Sequence, residues 1–218
     1  MIDAPSILFI DLKTSGLYLR NEPLSSSQQP WAPYIATLQC DASGRVVNQF
    51  ATYIKADGRA VKNGALEKHG IDHKATNRVG IPESRALGIL SDMLKLSPFD
   101  EPMRVVTYGD MDKMVIASLF ARFALSINRP ADSFSRLWMD RPMTTFVNLQ
   151  TPYAQRLCRI PPDVEDGDFK WPTFVEACQF ALGRSATHEN DSLEDMLLLK
   201  DLYFNFAGRG YFAAQEAA

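Results

Sequence analysis

The chain reads as alternating strand-like and helix-like apolar patterns. Residues 7–12, Ile-Leu-Phe-Ile-Asp-Leu, are apolar except for Asp11, as expected of a strand buried on both faces. Residues 33–40 and 45–55 predict two further strands, joined through Asp41-Ala42-Ser43-Gly44 as a hairpin, so the sheet starts antiparallel. Pro82 and Glu83 open a helical spacing that runs through Leu87, Leu90, Met93 and Leu94. Val105-Val106-Thr107 is a fourth strand, and after Asp112 the residues Val115, Ile116, Leu119, Phe120 and Phe123 recur at helical spacing. A third helix is predicted from Trp171-Pro172 to Gly183. A last one has Asp191 as N-cap and Glu194 completing a capping box. The tail after Gly208 is rich in small residues and is expected to fray.

Two segments fit no regular element. Residues 20–31 form a polar insertion between the first two strands, and residues 161–170 form an acidic loop; loops of this length on a compact domain are often functional. With 218 residues, no internal repeat and no linker, one domain over 1–218 is expected, its core between about residues 7 and 206.

Composition narrows the class of molecule. A net charge of -3 and a pI near 5.6 argue against coating nucleic acid by bulk electrostatics, which leaves a local basic groove or a bound metal as the routes to such a partner. Cys40, Cys158 and Cys178 are too far apart for a zinc pattern and odd in number, so reduced thiols are expected. No basic-then-apolar leader opens the chain and no apolar run approaches the roughly 20 residues that span a bilayer. A cytoplasmic protein without membrane attachment is the expectation.

The candidate chemistry lies in three carboxylates at element ends. Asp11 closes the first strand, Asp112 opens the second helix and Asp195 lies in the first turns of the last. Such ends can converge at one sheet edge, where three acids would hold a divalent cation through oxygen. Taken one by one each points only weakly to a ligand, and an Asp at a helix start is more often a cap. Strand side chains alternate with period 2, so Lys13 shares a face with Asp11. Its plainer role is an ion pair with Asp11, Asp112 or Asp195, relieving the repulsion of a buried acid cluster.

Taken together, these residues resemble the DnaQ-like 3'-to-5' exonucleases, the histidine-bearing DEDD branch (DEDDh) of the RNase H-like fold. The family's first motif, Asp-x-Glu-Thr-Thr/Ser-Gly-Leu, is matched by Asp11-Leu12-Lys13-Thr14-Ser15-Gly16-Leu17 except that Lys13 replaces the glutamate. Ala65-Leu66-Glu67-Lys68-His69-Gly70-Ile71 resembles a family segment that precedes the first long helix. Of the His-Asn-x-x-Phe-Asp motif, Thr107-Tyr108-Gly109-Asp110-Met111-Asp112 keeps the last aspartate. Lys170-Trp171-Pro172-Thr173-Phe174-Val175-Glu176-Ala177 resembles a family helix start. Asn190-Asp191-Ser192-Leu193-Glu194-Asp195 matches His-x-Ala-x-x-Asp, with Asn190 in place of the histidine.

The resemblance implies a mixed α/β sheet with an antiparallel start, flanked by helices. It also implies a cleft where four acids hold two Mg²⁺ or Mn²⁺ ions and a histidine deprotonates the attacking water. Asp11, Asp112 and Asp195 are the implied metal ligands here. Thr14, Ser15, Gly16, Leu17, His69, Tyr108 and Trp171 are the implied substrate contacts, with Leu17, Tyr108 and Trp171 suited to stacking on bases. Lys13 puts an ammonium where a cation would sit and cannot activate water, so metal is expected only if the enzyme is active. Asn190 cannot take a proton, and a general base typically contributes roughly 10²- to 10⁴-fold. His188 is the candidate substitute base and Asp110 a candidate replacement acid; an exposed loop histidine is the plainer account of His188. His73 carries no motif.

The leading expectation is thus a catalytically impaired relative that binds a single-stranded DNA or RNA 3' end, or a replication or repair protein. An active Mg²⁺-dependent exonuclease with a remodelled site, trimming or proofreading, is the first alternative. A protein-interaction scaffold without nucleic acid is the second.

Overall fold

The computed structural model describes residues 6–95, 103–134, 144–162, 168–184 and 192–210. Five strands form one sheet: β1 (Ile7–Lys13), β2 (Tyr34–Cys40), β3 (Val46–Tyr53), β4 (Met103–Thr107) and β5 (Thr144–Asn148). The helices are α1 (Asn63–His69), α2 (His73–Val79), α3 (Glu83–Lys95), α4 (Met111–Ser126), α5 (Pro152–Cys158), α6 (Phe174–Leu182) and α7 (Ser192–Gly208).

The strand order is β3-β2-β1-β4-β5, with β1 and β2, and β2 and β3, antiparallel, and with β4 and β5 parallel to β1. This is the mixed α/β sheet expected. Its topology already locates a cleft. The chain leaves β1 toward β2 and β3 on one side and returns to β4 and β5 on the other. The order therefore reverses between β1 and β4, and ligands of open α/β sheets bind beyond the carboxyl ends of strands at such a reversal.

The central strand is covered on both faces, which accounts for its unbroken apolar run. Leu8, Ile10 and Leu12 pack with Leu87, Leu90 and Met93 of α3 and Val115, Ile116 and Leu119 of α4. Ile7 and Phe9 pack on the opposite face with Cys178 of α6 and Met196, Leu199, Leu202 and Tyr203 of α7. Alternation then places Asp11 and Lys13 on the face that α7 covers.

Four elements escape the apolar pattern. α1 and α2 bury one residue each, His69 and Thr76, so they show no apolar stripe. α5 and the five-residue edge strand β5 are short. The predicted start of α6 also shifts: Thr173 is its N-cap and forms the capping box with Glu176, while Trp171 and Pro172 precede it. Asp191, the expected cap of α7, and Asp163, Glu165 and Asp166 of the acidic loop lie outside the described residues. The 20–31 insertion is a series of turns tied together by the buried Gln29, whose amide donates to Leu19 O and Glu22 O and accepts from Leu19 N–H. No helix among the described residues is long and apolar enough to cross a membrane.

Candidate functional site

Lys13 joins two of the three candidate acids. Its Nζ donates to Asp11 Oδ2 at 2.8 Å and to Asp195 Oδ2 at 3.1 Å. The three side chains are 16%, 26% and 15% exposed, respectively. Burial alone would depress the lysine's pKa, but the charges and hydrogen bonds of Asp11 and Asp195 outweigh it and hold the ammonium at about 12. Asp195 reaches this point because α7 lies over the face to which β1 directs its odd-numbered side chains.

Asp112, one residue inside α4, lines the same cleft of about 370 Å³ with Asp11, Lys13, Asp195, Tyr108, Gln150 and Phe174. Burial raises its pKa well above the ordinary carboxylate value, and the neighbouring charge of Asp11 raises it further. Lys13, a backbone N–H at Leu12 and Lys68 pull the other way. The turn that carries Asp112 is fixed from outside. Gly109 adopts φ +95°, a left-handed conformation that favours glycine, and its N–H donates to Asn148 Oδ1 at the end of β5. Asn148 Nδ2 donates to Asp110 Oδ1, so the candidate replacement acid is turned to Asn148 and lines none of the clefts described here. Tyr108 donates its hydroxyl to Pro172 O at 2.8 Å and packs against Phe174, closing the far wall.

A second lobe of about 560 Å³ opens on the other side of Lys13, between residues 11–17 and helix α1. Thr14 Oγ1 donates to Gly16 O, and the buried Ser15 exchanges hydrogen bonds with Trp31 through its N–H and Oγ. These bonds hold the first motif as a rigid turn. Leu17 then projects into solvent at the rim, 72% exposed. His69 is 5% exposed, and its Nδ1 accepts from Ile71 N–H at 3.1 Å. The proton therefore sits on Nε2, which donates to Thr14 O at 3.1 Å. His69 thus borders the lobe but spends both ring nitrogens on backbone, and Gly70 (φ 68°) supplies the left-handed turn that lets α1 end there. Lys62, outside every motif, and Lys68, at an unspecified position of the 65–71 segment, line this lobe as well. Sequence reading missed them because only the fold of α1 brings them to the cleft.

Trp171 is 47% exposed and lines neither lobe. Asn190 and His188 lie outside the described residues. Among the described residues no group of three or more His, Cys, Asp or Glu side chains is placed to hold a metal ion. The donor set explains why Asp11, Asp112 and Asp195 do not fit one as they stand: an ammonium of the chain itself occupies the Oδ2 atoms of two of them.

The sequence matches no family model and no curated protein. Solved structures do match. E. coli exonuclease I in complex with a dT13 oligonucleotide aligns at TM-score 0.68 and 17% identity, covering 96% of this chain and 42% of that one. The zinc-bound form of the E. coli exonuclease I complex with single-stranded DNA aligns at 0.64 and 16%, covering 95% and 41%. The complex with a dA16 oligonucleotide aligns at 0.64 and 17%, covering 92% and 40%. The chain spans about two fifths of the length of these proteins. Over that span it has the fold of E. coli exonuclease I, an RNase H-like α/β sheet flanked by helices.

Proposed function

We propose that this domain binds a single-stranded nucleic-acid 3' end in the cleft at β1, α4 and α7 and has lost most or all hydrolytic activity. The observation that carries the reading is Lys13 Nζ held between Asp11 and Asp195. A tethered ammonium stands in for part of a metal ion's charge between Asp11 and Asp195 but cannot coordinate water or lower its pKa, which removes the metal's contribution of several kcal/mol to the transition state. The substitution of Asn190 for the family's base acts on the same water, so the two losses overlap rather than add. The fold likeness to an exonuclease solved with oligonucleotides supports nucleic acid as the ligand.

One observation favours active exonuclease chemistry as a second reading: Asp11, Asp112 and Asp195 line one cleft although they come from three separate elements. A 5'-labelled single-stranded oligonucleotide incubated with the protein and Mg²⁺ or Mn²⁺ separates the two. Binding that survives EDTA, with no ladder of shortened products, is expected; a ladder establishes the second reading. The double variant Lys13→Glu with Asn190→His is expected to gain Mn²⁺ binding and measurable cleavage. If it binds no Mn²⁺, the assignment of the motif positions is wrong.

A further inference from the structure

The protein is acidic overall, yet the walls along α1 and under the 20–31 insertion are not. The lobe beside Lys13 and a pocket of about 500 Å³ under the 20–31 insertion share Lys62 in their walls. Among the described residues they are lined by Lys13, Arg59, Lys62, Lys68 and Arg122, against the carboxylates of Asp11 and Glu83. Three of these cations are already committed. Lys13 pairs with Asp11 and Asp195. Arg59 pairs with Glu83 and donates to Lys55 O and Ala56 O. Arg122 donates to Ser118 Oγ and to carbonyls at Ser26, Gln29 and Pro30. Among the described residues, Lys62 and Lys68 have neither a carboxylate nor a hydrogen-bond partner for their ammonium groups.

We propose that Lys62 and Lys68 form a backbone clamp that leads a single-stranded polynucleotide from the Lys13 cleft along α1 and over Gly16 into the pocket beneath the 20–31 insertion. The proposal rests on the end-binding reading above and adds the path and polarity of the strand.

Local geometry supports each step. Lys68 stands in the last turn of α1 and Lys62 just before its first residue, with Gly64 and Ala65 on the wall between them. A Cβ placed on Gly64 would meet nothing within 4 Å, so this stretch of wall is open. The stem of Lys62 lies across Gly16, where a Cβ would fall 2.9 Å from Cδ and 3.3 Å from Cε. That contact, together with the bond from Lys62 N–H to Ser15 O, holds the lysine on the ridge that both pockets share. Arg122 has neutral hydrogen-bond partners, so its charge adds to the field in the second pocket. Exposed Leu17 offers bases an apolar contact opposite the lysines.

The cleft's far end selects the partner and its direction. Lys13 carries one positive charge between two carboxylates, and Asp112 stands beside them. A neutral 3'-hydroxyl can donate to these acids, whereas a terminal phosphate or an acidic peptide would be repelled.

The test is fluorescence anisotropy with a 5'-fluorescein oligothymidylate in EDTA, over a salt series. Lys62→Gln and Lys68→Gln are each expected to reduce the slope of log affinity against log salt by about 0.7, the value for one single-strand phosphate contact. Lys74→Gln, outside all three clefts, is expected to leave it unchanged. A 3'-phosphate on the probe is expected to weaken binding and a polyglutamate peptide to compete poorly. Photo-crosslinks from the last nucleotides should fall within residues 11–17 and those from earlier nucleotides within 26–31. Unchanged slopes in both lysine variants, equal competition by polyglutamate, or the reverse crosslinking order overturns the clamp while leaving end binding intact. A wild-type protein that fails to bind the probe at low salt overturns both.

Discussion

Lys13 and Asp195 are 182 positions apart in the chain, and their side chains meet at 3.1 Å. Two independent features bring them together: the period of a central strand, which turns Lys13 to the α7 face, and the packing of Met196 and Leu199 onto Ile7 and Phe9, which seats the first turns of α7 there. The pair therefore reports on the whole sheet-to-helix interface as well as on the cleft.

Removing the lysine strands two carboxylates that retain little exposure. Lys13→Ala is expected to lower stability at neutral pH by roughly 2–4 kcal/mol, somewhat below the cost of breaking fully buried pairs because each group keeps some water contact. Its pH dependence has a definite sign. The folded pKa of about 12 exceeds the ordinary 10.5, so the native state holds the proton more tightly than the unfolded chain. The stabilisation is complete below about 10.5 and disappears as pH rises through about 12. Urea midpoints of wild type and variant should converge across that window; a constant gap would mean the lysine acts through packing alone.

Asp112 gives a pH dependence of the same sign, in a more acidic range and from the opposite cause, since burial favours its neutral form. Burial, then the charge of Asp11, raises its folded pKa well above 3.8, so the native state binds the extra proton in the range between the two values. Stability contributed by this group is present at low pH and falls as pH rises through the folded pKa. Asp112→Asn keeps an acceptor for the Leu12 N–H and removes the charge. The variant is expected to be at least as stable as wild type at neutral pH and to lose this slope, as measured by thermal unfolding between about pH 4 and 8.

Much of this site was legible in the sequence, and for physical reasons. A two-sided apolar strand has a strong signature, and period 2 alone places Lys13 beside Asp11. The pairing of Lys13 with an acid of the last helix follows from the need to neutralise a buried cluster. Lys62 and Lys68 were not legible because α1 buries only His69 and leaves no apolar stripe to reveal that its lysines face the cleft. His69 borders the lobe beside Lys13 with both ring nitrogens bonded to backbone, whereas Trp171 stands outside both lobes because α6 begins at Phe174, three residues later than its apolar pattern suggests.

The far wall of the cleft depends on one carbonyl. Pro172 O accepts from Tyr108 Oη at 2.8 Å and from Gln150 Nε2 at 3.1 Å. Tyr108→Phe alone leaves the second donor in place and is expected to cost about 0.5–1.5 kcal/mol. Combined with Gln150→Ala it leaves the carbonyl of a buried residue unpaired, and the loss should exceed the sum of the single variants. A double-mutant cycle in urea measures the excess, and simple additivity would show that water replaces both donors.

His69 connects acid stability to the cleft. Desolvation lowers its pKa below 6.5; the bond to Thr14 O opposes this, and the charge of Lys13 reinforces it. The native state therefore holds the ring neutral, as its acceptor role toward Ile71 N–H requires, while the unfolded chain takes up a proton below about 6.5. Because the unfolded state binds more protons there, stability falls as pH drops from about 6.5 toward the folded pKa. His69→Ala is expected to abolish this acid limb and to cost about 1–3 kcal/mol at neutral pH, since Thr14 O and Ile71 N–H lose their partner. The same variant frees the carbonyl that anchors the first motif turn, so oligonucleotide affinity should fall even under conditions where the variant remains folded. Urea unfolding across the pH range, paired with anisotropy at neutral pH, reads both effects. An unaltered acid limb in the variant would assign the pH dependence to other groups.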